Sequence, residues 1–413
     1  MIQGKRRFQV MAAVWLAVLL VLPGAVQADK GNEAQQELQS SELYAASAVV
    51  MEAQTGRILF EKNGSEQRAM ASTTKLMTLL VALEYGDFDE PVMVSSRAAS
   101  QPMVHMNLQP GETFRLMDLL YAMMLVSYND AAMAVAEAIA GSSEDFCYLM
   151  NLKARELGAC HTHFSTPNGL DAQDHYSTAV DMALIARAVL ADETARTIMQ
   201  TRSYTIQQDE VNSRTVALEN KNPLLSSYTA AIGGKTGFTS EAGLCLVGMA
   251  EQEGTQLITV VLGSGWPPHS NYRIADTMKL FQYGFSAFRR QELDLEALDE
   301  HPSVEVSGSE THSVRTCLSG TMTYYMKQDD TVSLYYELPF VTEAPVETGQ
   351  ILGQAVVCIN GRAIGYVDVT AQENAEEKSF RRILWNVCRS FWHSADADPA
   401  ESAKSGSQPG WSG

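Results

Sequence analysis

Ser72-Thr73-Thr74-Lys75 places a hydroxyl and an amine three residues apart. If that stretch opens a helix, both groups lie on one face, and the helix N-terminus adds a positive field at the serine. A serine becomes a nucleophile only with a base beside it. A lysine serves as that base when burial and a second cation destabilise its ammonium form. The pattern alone is weak: it recurs about once by chance in a chain of this length, and an ordinary amphipathic helix accounts for it equally. Ser127-Tyr128-Asn129 is the second candidate, breaking an apolar helical region and setting a hydroxyl and an amide between two buried helices. Taken by itself it fits a helix cap better. Lys235-Thr236-Gly237 is the third. It follows Gly233-Gly234 and precedes a β-rich run, which puts a cation and a hydroxyl at a sheet edge where glycine permits close backbone approach. An anionic group would be held there, although a plain turn before a strand fits too. Each pattern occurs once, in the order SxxK, SxN, KTG, and that joint order is the specific signal.

The elements that must position these residues are a mixture of helices and strands. Residues 72–84, 116–126, 131–140 and 179–190 carry dense helix formers with helical apolar spacing. Strand-like runs occur at 48–51, 58–60, 244–250 and 257–263. Residues 251–255 form a hairpin-type turn between the last two, which predicts a sheet that is at least partly antiparallel. After Arg290 the texture changes. An acidic stretch at 292–300 precedes short β-rich runs at 313–318, 321–326, 332–338, 355–359 and 363–369, the last two separated by the hairpin signal Asn360-Gly361-Arg362. A small all-β domain is expected over 293–372. It offers no cluster of catalytic residue types, so a spacer or partner-binding role is expected there.

With 46% hydrophobic and 19% charged residues in 413, the chain is neither fibrous nor wholly disordered, and its length asks for two domains or one with an appendage. Its net charge is −19, which argues against nucleic-acid binding. Residues 1–28 have the form of a secretory signal peptide, with Lys5, Arg6 and Arg7 before an apolar stretch and the small-residue pattern Val26-Gln27-Ala28. Export makes disulfides permissible among the six cysteines, with 15 possible pairings. At the other end, Phe380, Ile383, Leu384, Val387, Phe391 and Trp392 fall on one helical face, and Lys378, Arg381, Arg382 and Arg389 give that segment a positive charge with no acid. An amphipathic helix over 374–393 on an anionic membrane surface is expected, followed by a disordered tail at 394–413.

The three motifs and their surroundings resemble the low-molecular-mass penicillin-binding proteins of the serine D-alanyl-D-alanine carboxypeptidase type. The resemblance covers roughly residues 40–370. It extends to Phe164-Ser165-Thr166-Pro167-Asn168-Gly169-Leu170-Asp171, to His175-Tyr176-Ser177-Thr178-Ala179 and to Gly233-Gly234-Lys235-Thr236-Gly237-Phe238-Thr239. Met70 departs from the Pro often found before Ala-Ser, which bears on how the helix begins and not on the chemistry. The resemblance implies an α+β fold: a transpeptidase/β-lactamase-like catalytic domain over 40–290, its antiparallel sheet flanked by helices, then the small β domain and the amphipathic helix. It also implies roles. Ser72 attacks the penultimate D-alanine carbonyl with Lys75 as base, Ser127 relays a proton to the leaving amine, and Asn129 positions Lys75 and the peptide amide. Lys235 and Thr236 hold the terminal carboxylate with help from Arg273. The backbone N–H groups of Ser72 and Phe238, beyond Gly237, form the oxyanion hole. Peptidoglycan stem peptides are the implied substrates and β-lactams the inhibitors. No cofactor and no metal is called for, and His161 and His163 are expected to be surface histidines. The implied location is the outer face of the cytoplasmic membrane. A β-lactamase is the alternative enzyme, disfavoured because no Glu between Ser127 and Lys235 stands in a family-like setting. A catalytically silent wall-binding protein is the other alternative, disfavoured because all three motifs are intact.

Overall fold

The computed structural model describes residues 37–269 and 271–395. The expected signal peptide and residues 396–413 of the expected tail lie outside the described residues. Five strands form the central sheet: β1 (Ser47–Glu52), β2 (Ile58–Lys62), β3 (Ala231–Thr239), β4 (Gly243–Gln252) and β5 (Thr255–Leu262). Their order is β2-β1-β5-β4-β3 with every neighbour antiparallel, as the 251–255 turn predicts. Strands β1, β4 and β5, in the interior of the sheet, are mainly apolar and buried because both faces of the sheet are covered there. Val49 and Met51 of β1 join the main helical core. Val50 points the other way, against Gly284, where an added Cβ would lie 3.2 Å from it.

The helices of eight residues or more in this half are α1 (Lys75–Tyr85), α2 (Leu116–Leu125), α3 (Asn129–Ala140), α4 (Ser143–Glu156), α5 (Ala179–Ala191), α6 (Glu193–Gln200) and α7 (Tyr272–Ala287). Every residue of α1 from Lys75 to Ala82 is buried, as befits a helix enclosed on all sides; α2 to α6 pack around it. Helix α7 covers the opposite face of the sheet, where its buried Asp276 accepts hydrogen bonds from Tyr44 N, Ala45 N and Ser264 Oγ at 3.0, 2.8 and 2.6 Å. The apolar periodicity located α1, α2, α3 and α5. Helix α4 escaped it because its sequence mixes charges and apolar residues over most of its length.

Beyond α7 the chain is built of strands: β6 (Phe288–Asp294), β7 (Ser303–Ser307), β8 (Ser313–Cys317), β9 (Thr321–Lys327), β10 (Val332–Glu337), β11 (Val341–Glu343), β12 (Ile351–Ile359) and β13 (Arg362–Ala371). Six make a sheet in the order β10-β12-β13-β8-β7-β11, and β6 pairs with β9. Asn360 and Gly361 have φ of 50° and 76°, the two left-handed positions that the tight β12–β13 turn requires. Strand β6 leaves α7 without a break and runs across the boundary expected near residue 290. Arg57 of the catalytic half reaches into the β-rich half, donating from Nη1 to Tyr325 O at 2.6 Å and pairing with Asp330 at 2.8 Å. Helix α8 (Phe380–Ala395) starts at Phe380 and not at 374, and it includes residues 394 and 395 of the expected tail. The reason is local: Asn374 and Ala375 are held by side-chain and backbone hydrogen bonds to Thr348 and Val346. The six cysteines are unpaired.

Candidate active site

Ser72 lies in a 3-10 turn, Ala71–Thr74, that runs straight into α1. The turn is stitched by its own hydroxyls, with Thr73 Oγ1 donating to Met70 O at 2.6 Å and Thr74 Oγ1 to Ala71 O at 2.8 Å. Ala71 sits at φ +49°, a left-handed conformation that costs an alanine about 1–3 kcal/mol and persists only where surrounding contacts impose it. From Met70 to Ala82 every side chain is buried except that of Ser72, which is partly open.

One turn along, Lys75 is fully buried, and its Nζ reaches three oxygens: Ser72 Oγ at 2.9 Å, Asn129 Oδ1 at 2.8 Å and the Asn168 carbonyl at 2.6 Å. The Asn129 amide is oriented unambiguously, because its Nδ2 donates to the carbonyls of Pro102 and Met103, each at 3.1 Å, which can only accept. Lys75 therefore faces two obligate acceptors. A neutral amine has two hydrogens for them, and its lone pair is left for the Ser72 hydroxyl. Burial and the nearby Lys235 charge push the Lys75 pKa well below that of an ordinary lysine, while Asp130 pulls the other way. The geometry and the electrostatics both favour the amine that can take the serine proton.

Ser127 and Asn129 do not cap α3: the N-cap residue is Tyr128, without a side-chain bond. Ser127 instead holds φ +70° between α2 and α3, and its Oγ accepts from Lys235 Nζ at 2.9 Å. Lys235 is on β3, the edge strand, and not in a turn before β4. Its Nζ also donates to the Thr236 carbonyl at 3.1 Å. Gly237 explains how an edge strand lies against the nucleophile, since a Cβ there would come 3.0 Å from Met70 O and 3.1 Å from Ser72 N. Phe238 follows, with its ring largely exposed. Arg273, at the start of α7, donates to Gly237 O at 3.1 Å, and its buried Nε has no hydrogen-bond partner among the described residues. Burial and Arg273 lower the Lys235 pKa to about 7.

All nine expected site residues thus converge on one cleft. Sequence reasoning assigned no role to four others. Asp130 is buried and accepts from Met106 N, Leu108 N and Ala131 N at 2.8–3.1 Å, so it fixes the loop whose carbonyls orient Asn129. Asn168 supplies the carbonyl on Lys75. Gly169, at φ +83°, lets that loop touch the nucleophile turn: a Cβ there would fall 2.0 Å from the Ala71 oxygen. His175 contacts Thr74. Pro167-Asn168-Gly169 is a turn signal in sequence, yet nothing in its residue types announces a main-chain oxygen as the functional group.

A family model for D-alanyl-D-alanine carboxypeptidases, peptidase family S11, matches residues 32–265. The D-alanyl-D-alanine carboxypeptidase DacF of Bacillus subtilis is 32% identical over 348 residues, 82% of this chain and 88% of that protein. The chain resembles crystal structures of the D-alanyl-D-alanine carboxypeptidase DacD from Francisella tularensis and of penicillin binding protein 5 from Haemophilus influenzae. The TM-score is 0.64 in both cases, at 27% and 28% identity, covering 83% of this chain and 95% and 99% of those chains.

Proposed function

Because the chain belongs to the D-alanyl-D-alanine carboxypeptidase family of serine peptidases, we propose that it trims the terminal D-alanine from peptidoglycan stem peptides through an acyl-enzyme on Ser72. The observation that carries the reading is the Lys75 amine, 2.9 Å from Ser72 Oγ with its hydrogens committed to Asn129 and Asn168. Lys75 Nζ takes the Ser72 proton as Oγ attacks the penultimate D-alanine carbonyl. The developing oxyanion is held by the N–H groups of Ser72 and Phe238, which Gly237 allows to approach one another. As the peptide C–N bond breaks, the proton that Lys75 took is relayed through the Ser127 hydroxyl to the leaving amine, with Lys235 bonded to the Ser127 oxygen. Water then hydrolyses the ester and returns the serine. Lys235, Thr236 and Arg273 bind the terminal carboxylate, with Arg273 anchored on the Gly237 carbonyl beside them. A β-lactam offers the same carboxylate beside a reactive carbonyl, and so acylates the same oxygen.

Two experiments test this. Incubation with a pentapeptide ending in D-Ala-D-Ala should give a product lighter by one alanine. Ser72→Ala should abolish covalent labelling by penicillin with circular dichroism unchanged; labelling at the parental rate, or on another serine, overturns the assignment.

Helix α8 extends the proposal to location. Phe380, Ile383, Leu384, Trp385 and Val387 are exposed on it, and Arg389 lies over the Trp385 ring at 5.2 Å. An apolar and aromatic face beside basic residues suits the headgroup boundary of an anionic bilayer. Among the described residues no helix is long and apolar enough to cross a membrane. With the expected signal peptide, this supports a location on the outer face of the cytoplasmic membrane.

A further inference from the structure

His175 is buried and takes no part in the steps above. Its Nδ1 lies 3.0 Å from Ser165 N and 3.4 Å from Thr166 N. Backbone N–H groups only donate, so Nδ1 must accept and the proton of the neutral ring is on Nε2. That nitrogen is 2.9 Å from Thr74 Oγ1, which accepts there and donates its own hydrogen to Ala71 O at 2.8 Å. The relay therefore has one direction, from Ser165 N–H through the imidazole and the Thr74 hydroxyl to the Ala71 carbonyl. Burial, with His163 and Lys75 nearby, lowers the His175 pKa to about 4 and keeps the ring in this neutral form.

The two ends of the relay are the two halves of the site. Ala71 is the strained residue before the nucleophile. Ser165 and Thr166 begin the loop whose Asn168 carbonyl accepts from Lys75 at 2.6 Å. Thr78 Oγ1, one turn further along α1, donates to Pro167 O at 2.5 Å and clamps the same loop. We propose that His175 is a positioning residue: through Thr74 it locks the Asn168 loop to the Ser72 turn, so that the Lys75 lone pair and the Ser72 hydroxyl are held in line. The inference rests on Ser72 and Lys75 acting as nucleophile and base. His175 itself touches no reacting atom.

The test uses the full chain and penicillin acylation, with saturation kinetics separating the acylation rate constant k2 from the prior binding constant K. Thr74→Val removes the middle of the relay and leaves the imidazole in place. His175→Gln keeps a donor near the Nε2 position, His175→Asn keeps an acceptor near Nδ1, and His175→Phe keeps only bulk. Each of the first three should lower k2 about tenfold, the effect of losing one aligned hydrogen bond, with K unchanged. His175→Phe should lose more. The double variant Thr74→Val/His175→Gln should be no slower than Thr74→Val alone, since both break one chain. A k2 within twofold of the parent for Thr74→Val and His175→Phe overturns the proposal, and so do fully additive losses in the double variant. If the His175 variants fail to fold, Thr74→Val decides alone. A parent protein that is not acylated on Ser72 would sink the functional reading instead.

Discussion

Lys235 carries the sharpest test of how the cleft recognises its substrate. The side chain is buried, donates to Ser127 Oγ and Thr236 O, and has no carboxylate to pair with among the described residues. Its pKa, lowered by burial and by Arg273, is about 7. A bound carboxylate supplies the missing counter-charge and raises that value. The charged form is thus favoured in the complex, so affinity for an anionic ligand is fully present below pH 7 and falls as pH rises above it. The fall is tenfold per unit until the raised pKa of the complex is reached. From pH 7, the midpoint, to pH 9 the fall amounts to about 50-fold in K, or about 2.3 kcal/mol. Lys75 acts in the other direction and on the other constant, since k2 falls as pH drops through its depressed pKa and the amine is protonated. The perturbation is Lys235→Arg, whose guanidinium stays charged across this range. Stopped-flow acylation by a fluorescent penicillin from pH 6 to 9.5 gives K and k2 separately. Calorimetry on Ser72→Ala in buffers of different ionisation enthalpy counts the proton taken up on binding. The parent should lose affinity above pH 7, and Lys235→Arg should show a flat K whatever its absolute value. A flat K in the parent, or an equal slope in the variant, refutes the role given to the Lys235 charge.

Two further predictions come from other parts of the molecule. Gly169→Ala would drive a Cβ to 2.0 Å from the Ala71 oxygen at φ +83°. The loop must move, stability should drop by about 1–3 kcal/mol, and acylation should slow; an unchanged thermal midpoint and rate contradict the close contact. Ending the chain before Lys378 should release a soluble, still active enzyme, because every residue given a catalytic or binding role lies at or before Arg273. Sedimentation with anionic vesicles at low and high salt should distinguish the two forms, and equal sedimentation refutes the anchor.

The residue types that perform chemistry were legible in the sequence because lysines and serines at fixed spacing are rare enough to stand out together. The helices that follow Ser72 and begin at Asn129 were legible too, since α1 and α3 are apolar along most of their length. What spacing could not show is that Lys235-Thr236-Gly237 is itself strand and not turn. Gly233-Gly234 read as a place of close backbone approach, and at Gly234 a side chain would meet Val247 O at 2.2 Å. The Ser127 segment read better as a cap because local sequence cannot reveal a partner 108 positions away. Main-chain groups are the least visible of all. The Asn168 carbonyl, the Ala71 carbonyl and the amides held by Asp130 have no signature in residue type, and their places follow from how loops pack on α1.

The charge balance of the cleft accounts for an anionic terminus as the preferred substrate on a chain whose net charge is −19. Lys75, Lys235 and Arg273 converge, and none joins an ion pair of the described residues. The buried carboxylate nearby, Asp130, already accepts from three backbone amides. Surface acids farther off are screened, since the Debye length is about 8 Å at physiological ionic strength, whereas buried cations act on one another and on a ligand through little water. The local excess of positive charge therefore outweighs the global negative one. On the proposed reading it does two things at once: Lys235 and Arg273 attract a carboxylate, and the charge on Lys235 disfavours a proton on Lys75. A carboxylate bound next to Lys235 would hold it charged and at the same time offset its repulsion of the proton that Lys75 takes from Ser72. A peptide that lacks the terminal carboxylate leaves Lys235 partly neutral and forfeits both effects, which is a physical reason for the chain to cleave a terminal residue and not an internal bond.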